Sequence, residues 1–122
     1  MITILVVDAD PAVRLTARRV LESAGFTVIS VPNASAALHR LEVLRADLVI
    51  CNIDMPGPEG ATAIAAIRRV DPLAQIVILF AKNGAPSGVL SGMSNTLGKP
   101  FTASELLTMV RRSLARPGQR SS

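Results

Sequence analysis

A chain of 122 residues makes one domain with room for a real core and none for a second. Hydrophobic residues are 49% of it but aromatics only 2%, all Phe, so the core has to be built from Val, Ile, Leu and Ala. No apolar run approaches the roughly 20 residues that span a bilayer, the amino terminus turns acidic too early for a signal peptide, and the net charge of +4 permits an acidic partner without establishing one. The expectation is a soluble, cytoplasmic domain.

The first element is "TILVV" (3–7), β-branched and continuously apolar like a strand covered on both faces. Asp10 then stands as an N-cap with Pro11 at the first helical position. Val13, Ala17, Val20, Leu21 and Ala24 recur at helical spacing, and Gly25 is the natural stop. "TVISV" (27–31) predicts a second strand, and Asn33 caps a helix that uses Ala37, Leu38, Leu41 and Leu44. "LVIC" (48–51) is the third strand, followed by Asn52, Asp54 and a Pro56-Gly57 loop. A helix from about Glu59 to Val70 turns Ile64 and Ile67 inward, and "QIVILFA" (75–81) is the fourth strand. "TLG" (96–98) predicts a short fifth strand before Lys99-Pro100, and a last helix from about Thr102 to Arg116 buries Leu106, Leu107, Val110 and Leu114. Residues 1–116 are read as the domain and 117–122 as a flexible tail or the start of a linker.

Strands alternating with helices mean parallel βαβ units and a sheet covered on both faces. Such a sheet places its site beyond the carboxyl ends of its strands. That rule gathers Asp8, Ala9 and Asp10 after strand one, Asn52 and Asp54 after strand three, Phe80 and Ala81 at the end of strand four, and Lys99 after strand five. The one cysteine, Cys51, has no disulfide or metal partner and reads as a small core residue.

With these residues in place, the sequence resembles a receiver domain of two-component response regulators. The likeness covers nearly the whole chain, from "ILVVDADPAVR" through "ADLVICNIDMPGPEG" and "IVILFA" to "LGKPF". It implies a flavodoxin-like (βα)5 fold with strand order 2-1-3-4-5. It also implies a non-enzymatic signalling role in which an aspartate accepts a phosphoryl group from a histidine kinase. In that chemistry acidic residues after strand one hold Mg2+, a Ser or Thr ending strand four and a Lys ending strand five contact the phosphoryl group, and an aromatic on strand five reports the change.

Several of those positions depart from the pattern. Asn52 stands at the phosphoacceptor position, and a neutral amide forms no acyl phosphate. Asp8 is kept, but Ala9 replaces the principal Mg2+ ligand; Asp10, at the next position, doubles as a helix cap. Phe80 replaces the hydroxyl residue and Thr96 the switch aromatic, leaving Asp8 and Lys99 from the active set. "KNGAPSGVLSGMSN" (82–95) is glycine-rich, and the interval from Phe80 to Lys99 is about three residues short, nearly one helical turn. A shortened or irregular fourth helix is therefore expected. Five departures in register fit a natural degenerate receiver better than a single designed Asp-to-Asn change.

Mg2+ binding is not expected, because it needs carboxylates together with phosphate oxygens and only Asp8 remains for a weak contact. The simplest arrangement is an Asp8–Lys99 ion pair, with Asn52 able to hydrogen-bond both groups. The reading is thus a pseudo-receiver acting through protein–protein contacts with a histidine kinase, another response regulator, an output domain or a second copy of itself. Two alternatives stand beside it. One is a receiver phosphorylated at Asp54 or Asp10. The other is a nucleic-acid-binding module using Arg14, Arg18 and Arg19 of the first helix with Arg111, Arg112 and Arg116 of the last. Against the second, there is no Tyr or Trp for base stacking, and solvated helix faces explain the arginines. His39, beside Arg40, reads as a surface residue.

Overall fold

Strand and helix alternate throughout the computed structural model, which describes residues 1–54, 59–81 and 95–115. The elements are β1 (Thr3–Val7), α1 (Pro11–Ser23), β2 (Thr27–Val31), α2 (Ala34–Leu41), β3 (Leu48–Asn52), α3 (Glu59–Val70), β4 (Gln75–Ala81), β5 (Thr96–Lys99) and α4 (Ala103–Leu114). The five strands form one parallel sheet in the order β2-β1-β3-β4-β5, as expected for a flavodoxin-like fold.

Strand alternation sorts the core into two layers. Leu5, Val7, Val49, Cys51, Ile76 and Ile78 pack with Ala37 of α2 and with Ile64 and Ile67 of α3. Ile4, Val6, Leu48, Ile50, Val77 and Leu79 pack on the other face with Ala17 and Leu21 of α1 and with Leu106 and Val110 of α4. Every residue of β3 is buried, which explains why the central strands read as unbroken apolar runs. Burying each of the Val, Leu and Ile side chains here stabilises the fold by roughly 1.5–3 kcal/mol. A one-residue slip of a strand would exchange the two layers, so the register is firmly set.

The helix boundaries follow from capping groups. Asp10 accepts from the Ala12 N–H at 2.9 Å and Pro11 opens α1. At the other end Gly25, at φ 96°, closes the helix by donating to Glu22 O while Phe26 N–H donates to Leu21 O. That paired bonding needs a left-handed residue, which glycine adopts without a Cβ penalty. Two expectations need correction. Helix α2 stops at Leu41, because the N–H groups of Val43 and Leu44 both turn back to Arg40 O; Leu44 is therefore not a helical core residue. Thr102 is the cap of α4 rather than part of it. Its hydroxyl accepts from Glu105 N–H while the Glu105 carboxylate accepts from Thr102 N–H, a reciprocal capping box. The expected irregular fourth helix (82–94), Arg116 and the tail lie outside the described residues.

Candidate functional site

The register carries β3 and β5 one residue further than their apolar runs suggested. Asn52 pairs with Leu79, and Lys99 pairs with Ala81. Asn52 and Lys99 are thus the last residues of their strands, held by the ladder instead of by loops. Alternation from Leu48 and Ile50 places Asn52 on the face covered by α1 and α4, and alternation from Leu97 places Lys99 there too. Asp8, one step beyond β1, continues the series of Ile4 and Val6. The fold converges these three side chains because their positions share one parity.

Asp8 is completely buried and Asn52 is 5% exposed. The Lys99 ammonium lies 3.3 Å from one oxygen of Asp8, as predicted. The other oxygen accepts from the Asn52 side-chain amide at 3.3 Å and from the backbone N–H of Asp10 at 2.9 Å. The backbone carbonyl of Asp8 accepts from the Arg14 guanidinium at 2.6 Å. A buried charge needs a partner and hydrogen bonds to be tolerated, and Asp8 has both.

Of the two groups Asn52 could hydrogen-bond, it meets Asp8 and not Lys99. Its side-chain oxygen instead accepts from the Asp54 N–H at 3.0 Å. An Asx-type turn reaching two residues ahead satisfies that oxygen locally, while the longer reach to Lys99 goes unused. Asp54 is exposed, and its carboxylate accepts from the N–H of Ala81 at the end of β4. It ties the β3 loop to the neighbouring strand, an interaction that nothing in the sequence pattern signalled.

Ala9 is exposed and contributes no side-chain donor or acceptor. Phe80 and Thr96 are half-buried, and both belong by alternation to the opposite parity: Phe80 follows Ile76 and Ile78, and Thr96 pairs with Ile78. Neither enters the hydrogen-bonded group around Asp8. Cys51, on that same opposite face, is buried, and burial reinforced by the negative charge of Asp8 pushes its thiol up to about 12. It is an inert core thiol, since the thiolate is the reactive form.

The arginines are partly committed elsewhere. Arg14 serves Asp8, and Arg18 pairs with Glu22 at 3.1 Å along the same helix. Arg19, Arg111 and Arg112 are exposed. His39 is exposed and lies 3.9 Å from the Glu42 carboxylate. Among the described residues there is no cluster of three or more His, Cys, Asp or Glu side chains placed to hold a metal ion. No helix among them is long and apolar enough to cross a membrane.

Comparison with known proteins agrees with this architecture. The family described as response regulator receiver domain matches residues 4–111. The chain is 36% identical over 116 residues to the DNA-binding response regulator MtrA of Mycolicibacterium smegmatis, covering 93% of this chain and 50% of that protein. It is 30% identical over 118 residues to the transcriptional regulatory protein PrrA of Mycobacterium leprae, covering 94% and 51%. The chain thus spans about half the length of these curated relatives, and 26% of the length of the NtrC regulator of Bradyrhizobium. Among solved structures it resembles the response regulator TrrA from Thermotoga maritima in complex with Mg2+ and BeF, at a TM-score of 0.81 and 30% identity over 93% of this chain and 99% of that one. A CheY-like receiver domain protein from Methanospirillum hungatei shares the fold at a TM-score of 0.84 and 23% identity, covering 93% and 94% of the two chains.

Proposed function

The chain belongs to the response regulator receiver domain family, and on that premise we propose that it is a two-component signalling module that takes up no phosphoryl group and acts by binding a protein partner. The observation that carries this reading is the state of Asn52. Its amide is neutral, and both its ends are already engaged, the nitrogen by Asp8 and the oxygen by the Asp54 N–H. An acyl phosphate needs a carboxylate oxygen as nucleophile, and this position offers none.

The remaining groups support the same conclusion. Mg2+ takes near-octahedral oxygen ligation, commonly through one or two carboxylates plus phosphate oxygens. Both oxygens of Asp8 already accept hydrogen bonds, and the Ala9 side chain has no oxygen to add. The residues do not fit the ion, and no step of the proposed function runs through it. Asp54 and Asp10, the candidate substitute acceptors, each commit one oxygen elsewhere, to the loop tie with Ala81 and to the cap of α1. A covalent switch works by biasing a bistable element; here the pocket is closed on itself, and a partner's binding energy replaces the modification. The fitting partners are a histidine kinase, another regulator, an output domain or a second copy.

The test is the intact mass of the whole chain after incubation with acetyl phosphate and excess Mg2+. The mass is expected to stay unchanged. A gain of one phosphoryl group, released by hydroxylamine, would show a working acyl phosphate and overturn the proposal.

A further inference from the structure

At the opposite end of the sheet, the amino-terminal edge, the chain leaves large apolar side chains in water. Val43 is 80% exposed, Leu73 57% and Val70 50%. Val43 lies in the turn after α2, Val70 ends α3, and Leu73 lies in the turn before β4. Turns and last helical turns are ordinarily polar, so this grouping is not explained by the fold. Val70 and Leu73, with Leu41 and Leu44, line a concave depression of about 410 Å3 whose polar lining includes Arg45 and Asp71.

The charge around the depression is one-sided. Arg40, Arg45, Arg68 and Arg69 are all exposed at this end, against the carboxylates of Glu42, Asp71 and Asp47, the last of which accepts from the Thr3 N–H. Arg40, Arg68 and Arg69 sit in the last turns of α2 and α3, where basic residues offset the helix dipole. Arg45 belongs to no helix and lines the depression itself, so that explanation does not reach it.

We propose that this end is a docking surface for an acidic, amphipathic segment of a partner protein, whose apolar side chains enter the depression while its carboxylates meet Arg45 and the neighbouring arginines. The alternatives fit less well. A second copy docking through the same surface would bring two arginine rims face to face, a costly like-charge juxtaposition. An anionic bilayer would suit the arginines, but its smooth surface does not fill a concave site. The surface lies at the far edge of the sheet from Asp8, so the proposal stands apart from the reading of that pocket.

The probe is a fluorescein-labelled helical peptide with one leucine face and one glutamate face, titrated with the whole chain by fluorescence anisotropy. Binding is expected, with amide shift changes at Val43, Arg45, Val70 and Leu73 in two-dimensional NMR. Leu73→Glu and Arg45→Glu, both at exposed positions and checked for folding by circular dichroism, should each weaken it about tenfold or more. Absence of binding overturns the proposal, and so does binding that both variants retain. Equal or tighter binding of the peptide with lysine in place of glutamate would also overturn it. So would Leu73-dependent sedimentation with phosphatidylserine–phosphatidylcholine vesicles, or Leu73-dependent dimerisation in light scattering.

Discussion

Replacing Lys99 by Met removes the cation facing Asp8 while keeping most of the side chain's length. Asp8 is fully buried, and the Lys99 side chain, 3.3 Å away, is 20% exposed. At that distance two unit charges attract by about 5 kcal/mol for an effective dielectric near 20. Desolvation of both groups takes back much of that gross figure, and breaking a fully buried pair costs about 3–5 kcal/mol. Asp8 keeps the Asn52 amide and the Asp10 N–H, and water can follow the exposed part of Lys99 inward. The expected loss is therefore about 2–3 kcal/mol. Asp8→Asn leaves Lys99 able to turn outward and should cost about 1–2 kcal/mol. The double variant should cost less than the sum of the two, with a coupling of about 1.5 kcal/mol. Urea unfolding measures all four states; at slopes of about 1–3 kcal/mol per M the Lys99→Met midpoint should fall by about 1–2 M. Additivity within about 0.5 kcal/mol would refute the idea that these two residues are held by each other.

Two further predictions rest on single buried atoms. The Cys51 thiol is pushed from 9.0 to about 12 by burial and by Asp8, so above pH 9 the unfolded chain loses its proton while the folded one keeps it. Stability should be fully present below pH 9 and fall toward pH 12 by up to about 1.4 kcal/mol per pH unit; Cys51→Ala should flatten that decline in urea titrations, and an unchanged slope would place the effect elsewhere. Ser113 Oγ is buried without a hydrogen-bond partner, so Ser113→Ala should leave thermal stability unchanged or raise it by about 0.5–1 kcal/mol, and a loss above about 1 kcal/mol would mean that the hydroxyl has a partner.

The strands were legible because they are buried on both faces and therefore spell unbroken runs such as Leu48–Cys51. The ends of α1 were legible because Asp10 and Gly25 each solve a specific backbone problem with their own chemistry. The meeting of Asp8 with Lys99 followed from topology alone, since parallel strands bring their carboxyl ends to one edge. What the sequence hid were choices between competing hydrogen bonds. Asn52 had an amide oxygen and more than one donor within plausible reach, and the short loop to Asp54 N–H won over Lys99. Arg14 looked like part of a basic stripe, yet its guanidinium folds onto the Asp8 carbonyl. Asp54 stood in the sequence as a candidate phosphoacceptor, yet its carboxylate finds Ala81 N–H, which becomes reachable only once β3 and β4 are paired. Periodicity assigns faces; it carries no information about which of several donors a polar atom finally meets.

The departures at positions 9 and 52 have a common electrostatic logic. The buried side chains set one carboxylate, Asp8, against one ammonium, Lys99, with the Arg14 guanidinium on the Asp8 backbone carbonyl beside them, so the carboxylate is balanced without any added ion. A carboxylate in place of the Asn52 amide would put two negative charges about 3.3 Å apart against a single lysine, which demands either a divalent cation or a proton held far above the ordinary carboxylate range. A third carboxylate at Ala9 would sharpen the same demand. Neutral residues at both positions remove it together, and the Asn52 amide goes further by donating to the charge it would otherwise have repelled. On the proposed reading, this balance is what removes the need for a cation at the site. Asp8, Asn52 and Lys99 hold the ends of β1, β3 and β5 together, and under the proposed function a signal reaches the domain through its surface.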